Sequence, residues 1–314
     1  MSLATLTSDE LKLVLSYANL MDVLMVCSAS RTLVALLSQL QEIRMNSIGY
    51  AARTALRPKA GLGRMLKIET LRVVVLSSLP NFTLGHARLL AAALRRGAPA
   101  LTVLGLPQSH MGGDCATVLA PAIGASRSLI TVDLSHCGLQ RKGTKAVIAA
   151  LRTNTSITKL DVSGNMLRVP SRGTGSESVA LIDACADHPA LSDLNLAYNG
   201  LDAGDTPAIG RLLSAGRIRT LGLQGNRLFG RTAYPGLGPN GPSQGRPGAA
   251  VIDGAVRAFA DALAGDGTPL PAVVVDIEGV AVSNDGGHHL SAPEGWQDLL
   301  RGAASSRGLR LLVS

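Results

Sequence analysis

The side chains with catalytic or ligand-binding potential are few and scattered. His288 and His289 are adjacent, with Asp285 close by. Neighbouring residues project in different directions, so the two imidazoles do not converge on one ion, and no fourth ligand stands at a metal-site spacing. They read as a surface loop. Gly236-Leu-Gly238-Pro-Asn-Gly241 spells GxGxxG, which binds a pyrophosphate only where it follows a strand and opens a helix. Here Pro239 and Pro242 remove amide donors and deny the helix start, so the stretch reads as a loop. Cys27, Cys115, Cys137 and Cys185 form no CxxC pair and read as buried free thiols of a reducing compartment. No Ser-His-Asp or Cys-His arrangement can be assembled from spacing. The chain is therefore expected to be no enzyme and to hold no metal or cofactor.

What remains is a set of outward-pointing residues that a repeated element must position. Four segments share one spelling: Leu129-ITVDLSHCGL, Ile157-TKLDVSGNML, Leu191-SDLNLAYNGL and Ile218-RTLGLQGNRL. Each is LxxLxLxxNxL with aliphatic substitutions, and Cys137 takes the Asn position once. Weaker copies start at Leu71, Leu101, Leu270 and Leu309. A fixed period of about 28 residues marks units too small to bury their own apolar face, which stack and share one core. Within a unit, residues such as Leu160 and Val162 alternate as strand residues and point inward. Asn165, Asn199 and Asn226 sit where the chain turns and can satisfy backbone groups of adjacent turns. Lys145-AVIAALR, Val179-ALIDACA and Ala208-IGRLLSAG carry apolar residues at helical spacing. The residues two and four after each frame start point away from the helices. They place Asp133, Asp161 and Asp193, with Lys159 and Asn195, on one strand face as an acidic centre beside the apolar Val73, Val75 and Val103. Partner binding is expected there, although the face has few of the aromatic and arginine anchors of a tight interface.

The spelling resembles the ribonuclease-inhibitor-like leucine-rich repeat over about residues 70–314. The resemblance implies an α/β fold: a right-handed solenoid curved as a horseshoe, parallel strands concave and helices convex. The family binds proteins and has no common catalytic residues. The Gly- and Pro-rich stretch at about 229–250 reads as a loop inserted into one repeat, with helix resuming at Val251.

Residues 1–70 do not repeat and are expected to form a helical cap in which 6–40 read as two or three short helices. Thr7 or Ser8 can cap the first, with Asp9 and Glu10 in its first turn favouring the helix dipole. The acidic-leucine start Asp9-Glu10-Leu11, then Leu15-Ser16-Tyr17, Asp22-Val23-Leu24 and Ser28-Ala29-Ser30-Arg31 resemble an F-box. That family docks a helical Skp-type adaptor and serves as the substrate receptor of a cullin-type ubiquitin ligase, which would put Leu11, Leu15, Asp22 and Leu24 at the adaptor. The other reading is a helical cap that closes the apolar edge of the first repeat, as every solenoid needs.

Charge is uneven. The formal net charge is +8, and it is concentrated toward the amino-terminal end. Arg44, Arg53, Arg57, Lys59, Arg64 and Lys67 occur with no acid between them. Such a stretch could meet RNA in a ribonucleoprotein particle, or another acidic surface. It could also be a solvated linker face, and it lacks the aromatic interleaving of a single-strand binder. No run of about 18 apolar residues is present, so no membrane span is expected. The first residues lack the basic start of a secretory signal. An intracellular location follows, cytoplasmic or nuclear, with organelle import open. The sequons at Asn81 and Asn154 then read as chance matches. The sequence as a whole points to a non-catalytic protein-interaction scaffold, one subunit of a larger assembly.

Overall fold

Where the spelling LxxLxL occurs, the chain runs extended for three to five residues, turns, and enters a helix. The computed structural model describes residues 7, 42–46, 66, 71–79, 82–95, 101–167, 177–229, 249–268, 273–277 and 295–312. The chain forms two compact units, Met1–Asp161 and Val162–Ser314. Each has an α/β architecture in which parallel strands alternate with helices.

In the first unit the strands are β1 (Glu42–Asn46), β2 (Val73–Ser77), β3 (Val103–Gly105), β4 (Thr131–Asp133) and β5 (Lys159–Asp161). Among the described residues the helices between them are α1 (Leu84–Arg95), α2 (Gly112–Ala125) and α3 (Gln140–Thr153). Each strand pairs in parallel with the next in sequence, and Val73, Val103, Thr131 and Lys159 fall in one row. The residue between the two outward positions faces the helices: Val74, Leu104, Val132 and Leu160 are all buried. Helices α2 and α3 approach closely because glycine stands where they touch. A Cβ on Gly113 would lie 2.8 Å from the Lys142 Cβ, and one on Gly124 would lie 3.1 Å from the Ala150 Cα.

In the second unit α4 (Glu177–Asp187) precedes β6 (Asp193–Asn195). A 3-10 turn at Ala203–Asp205 leads into α5 (Thr206–Ser214), followed by β7 (Thr220–Gly222), α6 (Ala249–Ala264), β8 (Val273–Asp276), α7 (Trp296–Ser305) and β9 (Leu309–Leu312). Strands β6 to β9 also pair in parallel and in sequence order. The core is aliphatic except at one end. There Phe229 meets Phe259 and Trp296, each with ring centroids 5.6 Å apart and edge-on. Phe229 is the last described residue before the Gly/Pro-rich stretch and is itself buried, so the aromatic cluster fixes the point where the chain leaves the repeat. The buried Arg307 holds the other side of this region, donating from Nε to the Thr268 carbonyl at 3.0 Å.

Three expectations change. The amino-terminal block does carry a copy of the repeat: β1 lies within residues 1–70, in register with β2. Its signal is a period-two alternation, with Ile43 and Met45 between Glu42, Arg44 and Asn46, and it adds a repeat frame before Leu71. The frame placed at Leu270 moves two residues later, because Val274 pairs with Thr220 and Asp276 with Gly222. The Val273-Val-Val run has no alternation to set its phase, and a shift of two keeps the same face. The frame placed at Leu309 moves one residue earlier, because Arg310 pairs with Val274.

The strand-to-helix turns are closed by buried side chains eight residues after the frame starts at Leu101, Leu129, Ile157, Leu191 and Ile218. In the second unit the Asn199 amide donates to the Val162 and Leu196 carbonyls at 3.0 and 3.1 Å, and its oxygen accepts the Asn165 N–H at 2.8 Å. Asn226 repeats the pattern one turn on, donating to Leu196 and Leu223 and accepting from Asn199 and Leu201. In the first unit smaller groups serve. The Ser109 hydroxyl donates to the Leu76 carbonyl and accepts the Leu79 N–H, and the Cys137 thiol donates to the Leu106 carbonyl at 3.0 Å. The residues flanking the ladder take left-handed backbone, at Ser78, Gln108, His110, His136 and Gly138 in the first unit and Gly164, Met166, Tyr198, Gly200 and Gly225 in the second.

Asn199→Ala orphans buried carbonyls and an N–H together. A loss on the order of 3 kcal/mol is expected, read as a lower urea midpoint at unchanged slope.

Candidate functional site

The outward residues of each strand form a face that helices do not cover. In the first unit it is built from pairs across neighbouring strands. Val73 stands beside Val103 and Val75 beside Gly105. The missing side chain at Gly105 is taken up by Val75, whose Cγ1 lies 3.0 Å from where a Cβ would be. This makes a half-buried apolar tile. Next to it Thr131 stands beside Lys159, and Asp133 beside Asp161. Two carboxylates directly opposite on adjacent strands repel. One oxygen of Asp133 is used locally, accepting the Ser135 N–H at 2.9 Å. Both acids are half-buried and Lys159 is exposed. The structure thus brings together three of the expected partner-binding residues, Asp133, Asp161 and Lys159.

The other two, Asp193 and Asn195, share β6 in the second unit. Their polar groups bond to neighbours within the unit. Asp193 accepts from the Thr220 hydroxyl at 2.6 Å with one oxygen and from the Ser192 hydroxyl at 2.6 Å with the other. The Asn195 oxygen accepts the Ala197 N–H at 3.1 Å and lies 2.7 Å from where a Gly222 Cβ would stand. The register correction adds Asp276 to the same row as Asn195 and Gly222, and its carboxylate takes a short hydrogen bond from the Gln224 amide. Sequence reading set Asp276 two positions further along, because the valine run hid the phase. Arg310 joins the neighbouring row, paired to Val274.

Other expectations fall on residues outside those described: the adaptor-docking set Leu11, Leu15, Asp22 and Leu24, the basic residues Arg53, Arg57, Lys59, Arg64 and Lys67, and His288, His289, Asp285 and the GxGxxG stretch. Arg44 lies in β1. Among the described residues no group of three His, Cys, Asp or Glu is placed to hold a metal ion. No helix there is long and apolar enough to cross a membrane. A cavity of about 10 Å³ lies between α2, α3, β4 and β5, lined by Met111, Leu119, Ile123, Val147, Leu151 and Leu160 among others. It has room for one water but no polar lining to hold it, and is a packing void.

A second set of buried polar residues escaped the sequence reading. At the frame starts Leu129, Ile157 and Leu191 the residue three before closes the helix-to-strand corner. Asn154 donates to the Ile123 and Ser126 carbonyls at 3.0 and 2.8 Å and accepts from Ser156 and Ile157 N–H at 2.8 and 2.9 Å. Its sequon is therefore closed to a glycosyltransferase in the folded chain. Ser126 and His188 hold the same position. The signal, a polar residue among helix-ending letters, varies in type and so does not stand out as a repeat.

No family model matches the chain, and no curated protein matches it. Among solved structures, a chain described as leiomodin-1 actin-binding site 2 aligns at 14% identity over 58% of this chain and 86% of its own, with a TM-score of 0.36.

Cys115, Cys137 and Cys185 are buried free thiols. Burial pushes Cys137 and Cys185 up to about 12. For Cys137 the opposing effect is the Ser109 N–H that it accepts, and the Asp133 and Asp161 charges add to the rise. Folded pKa values above the unfolded ones mean that the native state disfavours the thiolate. The associated stability is intact below the ordinary thiol range and is lost as pH rises toward about 12. At pH 8, Cys137 and Cys185 are expected to resist maleimide in native protein and to label fully in urea, as read by peptide mapping.

Proposed function

We propose that this chain is a leucine-rich-repeat scaffold that binds a protein partner through its exposed strand face, with no chemistry of its own. On this reading the repeat is of the right-handed leucine-rich-repeat solenoid type, with strands on the concave side and helices on the convex side. The observation that carries the proposal is the first unit's face. An apolar tile of Val73, Val75 and Val103 adjoins the directly paired Asp133 and Asp161, with Lys159 at their edge. Half-buried valines gain when a partner's apolar side chain covers them, by about 25 cal/mol for each Å² removed from water. The opposed carboxylates gain from a cation between them. A partner segment with an apolar residue next to an arginine or lysine meets both demands. The second unit's face differs. Its Asp193, Asn195 and Asp276 are committed to neighbours within the unit, and so serve the rigidity of the sheet.

The test is native purification of the full chain, with identification of what co-purifies and then variants of the face. Val75→Asp and the pair Asp133→Asn with Asp161→Asn are expected to weaken capture of the partner by tenfold or more, roughly 1.4 kcal/mol at the least, with circular dichroism unchanged. Asp276→Asn is expected to leave capture intact. A partner retained equally by all the face variants would overturn the assignment.

A further inference from the structure

The helix-to-strand corner poses the same problem in each repeat. The chain leaves a helix with free carbonyls behind it and enters a strand with free N–H groups ahead. In the first unit Ser126 and Asn154 answer with oxygen. The Ser126 hydroxyl accepts the Leu129 N–H at 3.3 Å, and the Asn154 oxygen accepts Ser156 and Ile157. In the second unit the position holds His188, whose ring Nδ1 accepts the Ala190 N–H at 3.2 Å and the Leu191 N–H at 3.1 Å. This geometry fixes the tautomer. Nδ1 must carry a lone pair, so the ring proton sits on Nε2. Nε2 is buried and has no hydrogen-bond partner among the described residues. A serine or asparagine oxygen accepts at every pH. An imidazole accepts only while neutral, and once protonated it points an N–H at two N–H groups.

We propose that His188 is an acid-operated latch: the neutral ring holds the corner between α4 and β6 closed, and protonation releases it. The charges around the ring do not oppose this. Arg217, at the next corner, donates to the Ala186 carbonyl at 3.1 Å and brings positive charge toward the ring. Asp183 on α4 is held by both nitrogens of a fork from Arg211 on α5, at 2.8 to 3.1 Å. Asp187, the preceding residue, is exposed to solvent. Cys185 on α4 is a neutral thiol. Burial first, and Arg217 second, hold the His188 imidazole below its ordinary range. The unfolded or opened chain therefore takes the proton more readily than the closed one. The latch's contribution is complete above the ordinary imidazole pKa, roughly 6.5, and is lost as pH falls from there through the folded value.

The test is amide hydrogen exchange on the full chain from pH 7.5 to 5.5, with rates corrected for the intrinsic effect of pH. Protection of the Ala190 and Leu191 amides is expected to fall several-fold across that range. Protection at Ser156 and Ile157, whose corner Asn154 closes, is expected to stay level. His188→Asn supplies an oxygen acceptor and is expected to abolish the pH dependence at Ala190 and Leu191. Level protection at those two amides in the wild-type chain, or an equal fall in His188→Asn, would sink the proposal. A direct titration of the His188 ring by NMR in the wild-type chain serves if the variant does not fold. A ring that titrates at the ordinary value, or one whose titration leaves the Ala190 and Leu191 amide signals unmoved, refutes the latch.

Discussion

Where the repeat is regular the chain turns from strand to helix and back within a few residues, and the polar side chains at those turns are buried. Backbone N–H and C=O groups at such corners have no ladder partner of their own, and each left unmet costs about 1–3 kcal/mol. The structure depends on meeting them with side chains that reach from one repeat to the next. Asn199 and Asn226 do this in the second unit, each with an amide that donates to two carbonyls and an oxygen that accepts backbone N–H. Ser109 and Cys137 do it in the first unit with single groups. Because each side chain bonds its own turn and its neighbour's, the ladder fixes the step from repeat to repeat. The strand register then follows, and so does the identity of the residues that face outward.

The ladder also explains why the turns tolerate unfavourable backbone. Tyr198 and Met166 take positive φ beside ladder asparagines, a cost that glycine avoids at the equivalent Gly164 and Gly200. The hydrogen bonds on either side hold them there. The Tyr198 ring lies over Gly225, where a Cβ would come within 2.3 Å of it. Strain at these positions is a local consequence of a geometry set by the buried amides.

The outward face inherits its precision from this buried frame. Asp133 and Asp161 stand side by side because β4 and β5 are held in register, against their mutual repulsion. The same device in the second unit yields a different result. There the outward acids find donors in the adjacent repeat, Thr220 on β7 for Asp193 and Gln224 in the turn after β7 for Asp276. Two faces of one spelling therefore differ in what they offer a partner: the first unit's sets two acids side by side next to valines, the second's sets its acids in hydrogen bonds to neighbouring side chains.

Much of this is written in the sequence. The LxxLxLxxN spelling determined that strands and helices alternate, that Leu160 and Leu194 point into the core, and that Asn165, Asn199 and Asn226 close turns. It did so because period-two and helical periodicities each leave a clear trace in apolar letters. The trace fails where that contrast fades. The Val273 to Val275 run carries no alternation, so only strand pairing set its phase and moved Asp276 along the face into the row of Asn195 and Gly222. Glu42 to Asn46 does alternate, but the letters before it carry a helical spacing, and its pairing with β2 is what makes it a repeat. The helix-to-strand corners were invisible because serine, asparagine and histidine share no letter, only the ability to accept an N–H. That equivalence is a matter of three-dimensional position. Only the tertiary structure decided that His188 stands where Asn154 does, and that its acceptor, alone of the three, depends on a proton.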